Sequence, residues 1–237
     1  MTTIALNLQH VHERIARACA AAGRDVNEVT LLAVAKTFGP DAVRAAHAAG
    51  AAAFGENYIQ EAVEKQALLA DLRLQWHCIG PIQSNKTRLV ATHFDWAHTV
   101  DRLKIAQRLA EQRPAELPPL AICIQVNIDG GPSKSGVAPG EALALAREIE
   151  GLPRLKLRGL MTIPEPSEDP ATQLAVHRQA RRLYDALRDA GVPLDTLSMG
   201  MTADLEAAIE AGSTMVRVGT AIFGGRAPRT SDMSLRG

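Results

Sequence analysis

Ile4, Leu8, Val11, Ile15, Ala18 and Ala22 recur at helical spacing, which predicts an amphipathic helix that opens the chain and ends at Gly23. After it the pattern alternates. Short apolar runs begin near Leu31, Ala52, Gln75, Phe94, Leu120, Leu155, Leu194 and Thr214, with helical segments between them. Two of those segments carry clear stripes: Ala142, Leu145, Ala146 and Ile149, then Val176, Ala180, Leu183 and Leu187. Eight strands at intervals of about 26 residues suit parallel strands joined by helical crossovers. The spacing predicts an α/β fold, a single (β/α)8 TIM barrel with an additional N-terminal helix. A doubly wound open sheet has the same period, but no strand is followed by the glycine fingerprint of a dinucleotide site.

Pro114 to Pro119 and Pro164 to Pro170 punctuate loops, since periodicity resumes soon after each. The barrel domain is expected over residues 1–225. Residues 226–237 lose apolar periodicity and are expected to form a poorly ordered tail.

Charge and cysteine content narrow the function. Lys+Arg and Asp+Glu are both 26, so the chain lacks the basic excess that grips nucleic acid or an anionic membrane. Neither a signal-peptide core nor a membrane-spanning run is visible, and a cytoplasmic location is expected. Cys19, Cys78 and Cys123 have no CxxC spacing, so neither disulfides nor a metal site is expected.

The candidate chemistry begins at Lys36, which follows the apolar run Leu31-Leu32-Ala33-Val34-Ala35 and so stands where a buried strand opens into a loop. A partly desolvated ammonium favours its neutral form, the amine that attacks a carbonyl. Lys36 is therefore a Schiff-base candidate. Solvated strand-end lysines are far commoner, so its neighbours must carry the case. The last residues of the strands, read in order, are Lys36, Asn57, His77, His98, Asn127, Thr162, Ser198 and Arg217, and a barrel brings such positions to one face. Singly, a histidine is more often a packing residue and Asn127 a turn former. The turns Ser198-Met199-Gly200-Met201-Thr202 and Val218-Gly219-Thr220 follow strands seven and eight, where these barrels frequently hold phosphate. Ordinary helix capping explains those hydroxyls equally well until Lys36 is considered. Gly130 to Ser135 imitates a P-loop, but Ser133 and Ile128 occupy its required glycines.

The segments Leu32 to Thr37, Phe54 to Tyr58, Trp76 to Lys86, Ser133 to Gly136, Arg158 to Thr162, Ser198 to Met201 and Val216 to Thr220 together resemble the pyridoxal phosphate homeostasis family, whose fold is that of the alanine racemase N-terminal domain. Ala35, Pro40 and Thr202 depart from the usual pattern, and Pro40 implies a differently shaped loop after Lys36. The resemblance implies that pyridoxal 5′-phosphate (PLP) is the cofactor, bound as a Schiff base on Lys36. It further implies that Ser198, Gly219 and Thr220 hold the phosphate and Arg217 faces the pyridine nitrogen, with Asn57, His77, Asn127, Met161 and Met199 around the pocket. Lys134 is the candidate PLP-transfer lysine. Arginine cannot accept the ring proton, so carbanion stabilisation should be weak. The expected function is vitamin B6 homeostasis: a monomer that carries and buffers PLP, with apo PLP-dependent enzymes as recipients. A PLP-dependent amino-acid racemase of fold type III and a Schiff-base aldolase are the alternatives.

Overall fold

The computed structural model describes residues 2–131 and 135–225. Its eight strands are β1 (Thr30–Val34), β2 (Ala53–Glu56), β3 (Gln75–Cys78), β4 (Trp96–Val100), β5 (Leu120–Gln125), β6 (Leu155–Met161), β7 (Thr196–Ser198) and β8 (Met215–Val218). They pair in parallel and in sequence order, and β8 closes on β1 with Leu32 opposite Arg217. The expected barrel is the observed one. Between successive strands run α2 (Pro40–Ala48), α3 (Ile59–Ala67), α4 (Thr87–His93), α5 (Leu103–Gln112), α6 (Ala142–Glu150), α7 (Pro170–Asp189) and α8 (Leu205–Glu210). After β8 comes the single turn α9 (Thr220–Phe223), too short to cover a strand. The opening helix α1 (Thr3–Ala21) packs against α2, α8 and α9 and fills that place in the outer ring. Its start is capped by the Thr2 hydroxyl, which accepts from the Ala5 N–H, and Leu8, Val11, Ile15, Ala18 and Cys19 form its buried face.

Strand alternation divides the core into two regions. Outward residues such as Ala33, Phe54, Cys78, Ile122, Ile124, Leu160 and Leu197 join the helices in one large cluster. Inward apolar residues form two separate groups: Leu32, Val34, Ala53, Ile79 and Met215, and Trp96, Ala121, Cys123 and Met161. Buried His77, His98, Ser198 and Arg217 lie on the same inward alternation. Gly159 is required where β6 meets β7, because a Cβ there would collide with the Thr196 carbonyl.

One predicted stripe is displaced by the structure. On α7 the buried line is His177, Ala180, Tyr184 and Leu187, and Val176 and Leu183 lie at its margin. Two polar-tipped residues fit because their tips are bonded: His177 to Asp204 at 2.8 Å, and the Tyr184 hydroxyl to the Leu194 carbonyl at 3.1 Å.

Candidate functional site

At the C-terminal ends of the strands lies a cavity of about 270 Å³, lined by Lys36, Asn57, Arg217, Gly219 and Thr220 together with Val34, Ile79, Ile163, Met201, Thr202 and Ala203. Five of the residues singled out in the sequence therefore converge. A larger cleft of about 420 Å³ adjoins it, sharing Met201 and Ala203, but neither Lys36 nor Arg217 is among its lining residues.

Lys36 is carried by an over-determined turn. Thr37, next in the chain, has φ +69°, a left-handed conformation that is costly for a β-branched residue. The Phe38 N–H closes the turn on the Ala35 carbonyl at 3.1 Å, and the Phe38 ring stacks on Phe223 with centroids 5.1 Å apart. The Ala35 carbonyl also accepts from Lys65 Nζ of α3 at 2.9 Å, and Lys65 in turn pairs with Glu56 at 2.5 Å. Both members of that pair are buried. Burial pushes the Glu56 carboxyl above its ordinary range, and the neighbouring ammonium draws it only part of the way back.

Arg217 is 4% exposed and donates to Ser198 Oγ and to the Thr162 carbonyl, each at 2.8 Å. Both partners are neutral. Desolvation lowers its pKa to about 10, with Asp204 and Cys123 opposing the shift. Asn57 is pinned by Gly80, where a Cβ would overlap the Asn57 carbonyl, and Asn57 Oδ1 is buried without a hydrogen-bond partner. At the start of α9 the Ile222 and Phe223 N–H groups donate to the Gly219 carbonyl, each at 2.9 Å, and the helix has no carbonyl to offer those of Thr220 and Ala221. Thr220 and Thr202 hydroxyls meet at 3.3 Å.

The other predicted residues lie elsewhere. His77, Met161, Ser198 and Met199 are fully buried and do not line the cavity; Met161 packs with Trp96 and Cys123, and Met199 belongs to the outward cluster. Asn127 donates to the Gly131 carbonyl at 2.9 Å, the turn-forming role, and its Oδ1 is buried unpaired. Lys134 lies outside the described residues, as do residues 226–237. Lys65 carries no signal in the sequence, because a lysine on a helix ordinarily faces solvent. Among the described residues no cluster of candidate metal ligands occurs, and no helix is long and apolar enough to cross a membrane.

Residues 6–227 match the family model described as alanine racemase, N-terminal domain. The chain belongs to this family. It is 61% identical over 226 residues to the pyridoxal phosphate homeostasis protein of Pseudomonas aeruginosa, covering 95% of this chain and 97% of that one. The protein of the same name from Escherichia coli K12 is 53% identical over 229 residues, covering 95% and 98%. Among solved structures, PipY of Synechococcus elongatus with PLP bound is 38% identical, with a TM-score of 0.78 over 89% of this chain and 100% of that one. The alanine racemase of Clostridium difficile shares the fold alone: 14% identical, TM-score 0.70, covering 92% of this chain and 57% of the racemase.

Proposed function

We infer that this chain is a PLP-binding homeostasis protein that holds the cofactor reversibly at Lys36 and releases it to apo enzymes that require it. The observation that carries the reading is the meeting of Lys36 and Arg217 in one cavity, with Gly219 and Thr220 on its wall. The residues fit the group. An amine is available for the aldehyde, backbone N–H groups at α9 suit a phosphate, and Asn57 Oδ1 is a buried acceptor without a partner. Bound there, PLP supplies an aldehyde carbon that another primary amine can take over, so attachment is reversible.

Arg217 determines how far the chemistry goes. It can donate to a ring nitrogen but cannot give up a proton to it, which leaves the ring neutral and a poor electron sink. Neither Tyr58 nor Tyr184 is among the lining residues; Tyr184 is buried and bonded to Leu194. The site holds the cofactor without a placed tyrosine to move a proton, which supports a carrier over a racemase. A monomer in the cytoplasm is consistent with this role.

Mixing the purified protein with PLP and then with an apo PLP-dependent enzyme tests the reading. The visible absorption of lysine-bound cofactor should appear and then decline as the enzyme gains activity. Turnover of any L-amino acid to its D-enantiomer, followed by chiral chromatography, would replace the carrier with a racemase.

A further inference from the structure

The polar residues inside the barrel form a chain with a direction. With Gln75 Oε1 as the acceptor, His77 Nε2, 3.0 Å away, carries a proton. Burial lowers the His77 pKa to about 3 and that of His98 well below its ordinary value, so both rings are neutral and each has one N–H. His77 Nδ1 must then accept, and it takes the proton of His98 Nε2 at 2.9 Å. His98 Nδ1 is left as an acceptor and receives the Ser198 hydroxyl proton at 3.1 Å. The Ser198 oxygen keeps its lone pairs for Arg217, 2.8 Å away. Every hydrogen points away from Arg217. Every bond in the series therefore presents its negative end toward the guanidinium, and such bonds polarise one another.

Arg217 needs a counterweight of this kind. It is buried, its direct partners are neutral, and among the described residues it makes no ion pair; Asp204 acts on it only at longer range. The chain is also mechanically fixed. The His77 ring stacks on Trp96 at 5.2 Å and 8°, and the Arg158 guanidinium covers Trp96 at 4.6 Å. Gln75, at the exposed start of β3, ends the series at the opposite face of the barrel from the cavity.

We propose that His77 and His98 are positioning residues that stand in for a counter-ion, keeping Arg217 charged and aimed at the cavity without neutralising it. The consequence for the cofactor rests on the PLP reading above; the chain itself stands on the geometry of the cofactor-free protein. A carboxylate against Arg217 would hold the guanidinium equally well but would cancel the charge offered to an anionic ligand. Aligned neutral dipoles leave that charge in place.

Long-range proton–nitrogen correlation spectra of the full-length protein without cofactor, labelled at histidine and recorded at pH 7, test the chain directly. Two neutral rings, both in the Nε2–H form, are expected, and Ser198→Ala should shift the His98 Nδ1 resonance as it loses its donor while His77 keeps its form. A cationic ring, or an Nδ1–H form on either residue, overturns the proposal. Binding supplies the second readout. His98→Leu should weaken PLP uptake roughly tenfold, and His98→Gln, whose amide has one acceptor and one donor, should recover most of it. Uptake by His98→Leu equal to wild type, or no recovery in His98→Gln, contradicts it. Absence of PLP uptake by the wild type would instead sink the functional reading, with the tautomers still deciding the chain.

Discussion

Lys65 Nζ donates to the carbonyl of Ala35 at 2.9 Å, so a lysine of α3 braces the residue directly before Lys36. The brace is held from behind by Glu56, itself 1% exposed. Removing one member of a buried ion pair strands the other charge and typically costs about 3–5 kcal/mol, whereas removing both costs less. Lys65→Met and Glu56→Gln are each expected to lower stability by an amount in that range, and the double variant to recover part of it. Urea unfolding measures the three. Additive losses in the double variant would show that the pair acts as two separate groups.

Gly80 sets the position of Asn57 from across the cavity wall. Because its Cβ would overlap the Asn57 carbonyl, Gly80→Ala must displace the turn after β2. Weaker PLP uptake by about tenfold or more is expected, with the eight-stranded barrel retained in the far-ultraviolet spectrum. Wild-type affinity in that variant would mean that Asn57 plays no part in binding.

The buried histidines make stability depend on pH in a defined sense. His77 titrates at about 3 in the fold against 6.5 in an exposed setting, and His98 is lowered too. Below pH 6.5 the unfolded chain takes up protons that the fold refuses, so the stability present above 6.5 is lost as pH falls toward 3. Glu56, whose carboxyl is raised, works in the opposite sense. Urea midpoints should fall from pH 7 to 4.5, and less steeply in His98→Gln. An equal slope in the two proteins would mean that His98 does not contribute to the loss of stability in acid.

The thiols should be inert. Burial pushes Cys78 and Cys123 up to about 12 and raises Cys19 as well, and all three are buried. A thiol reagent at pH 8 should label none of them in the folded protein and three after denaturation. Rapid labelling of the folded chain would place a thiol at the surface.

The barrel was legible because its signal is repeated. Each predicted strand start falls within two residues of the observed one, from Leu31 against Thr30 to Leu194 against Thr196. The stripe of α7 was displaced because His177 counts as polar in a pattern yet buries its ring once its tip is bonded to Asp204. Lys36, Asn57, Arg217, Gly219 and Thr220 were found because strand ends converge at one face in this fold. The same rule placed His77 and Ser198 in that set, although their side chains point into the barrel and bond to His98 and Arg217. Lys65 could not be found this way: its partner Glu56 points outward from β2, and period alone does not show which helical charge will meet it.

Lys36 is the proposed attachment point for PLP. Borohydride reduction of the wild-type protein after stoichiometric addition of PLP, followed by proteolysis and mass spectrometry of the peptides, identifies the lysine that carries the cofactor. A pyridoxyl group predominantly on Lys36 is expected. A label predominantly on any other lysine, or no label at all, would contradict it.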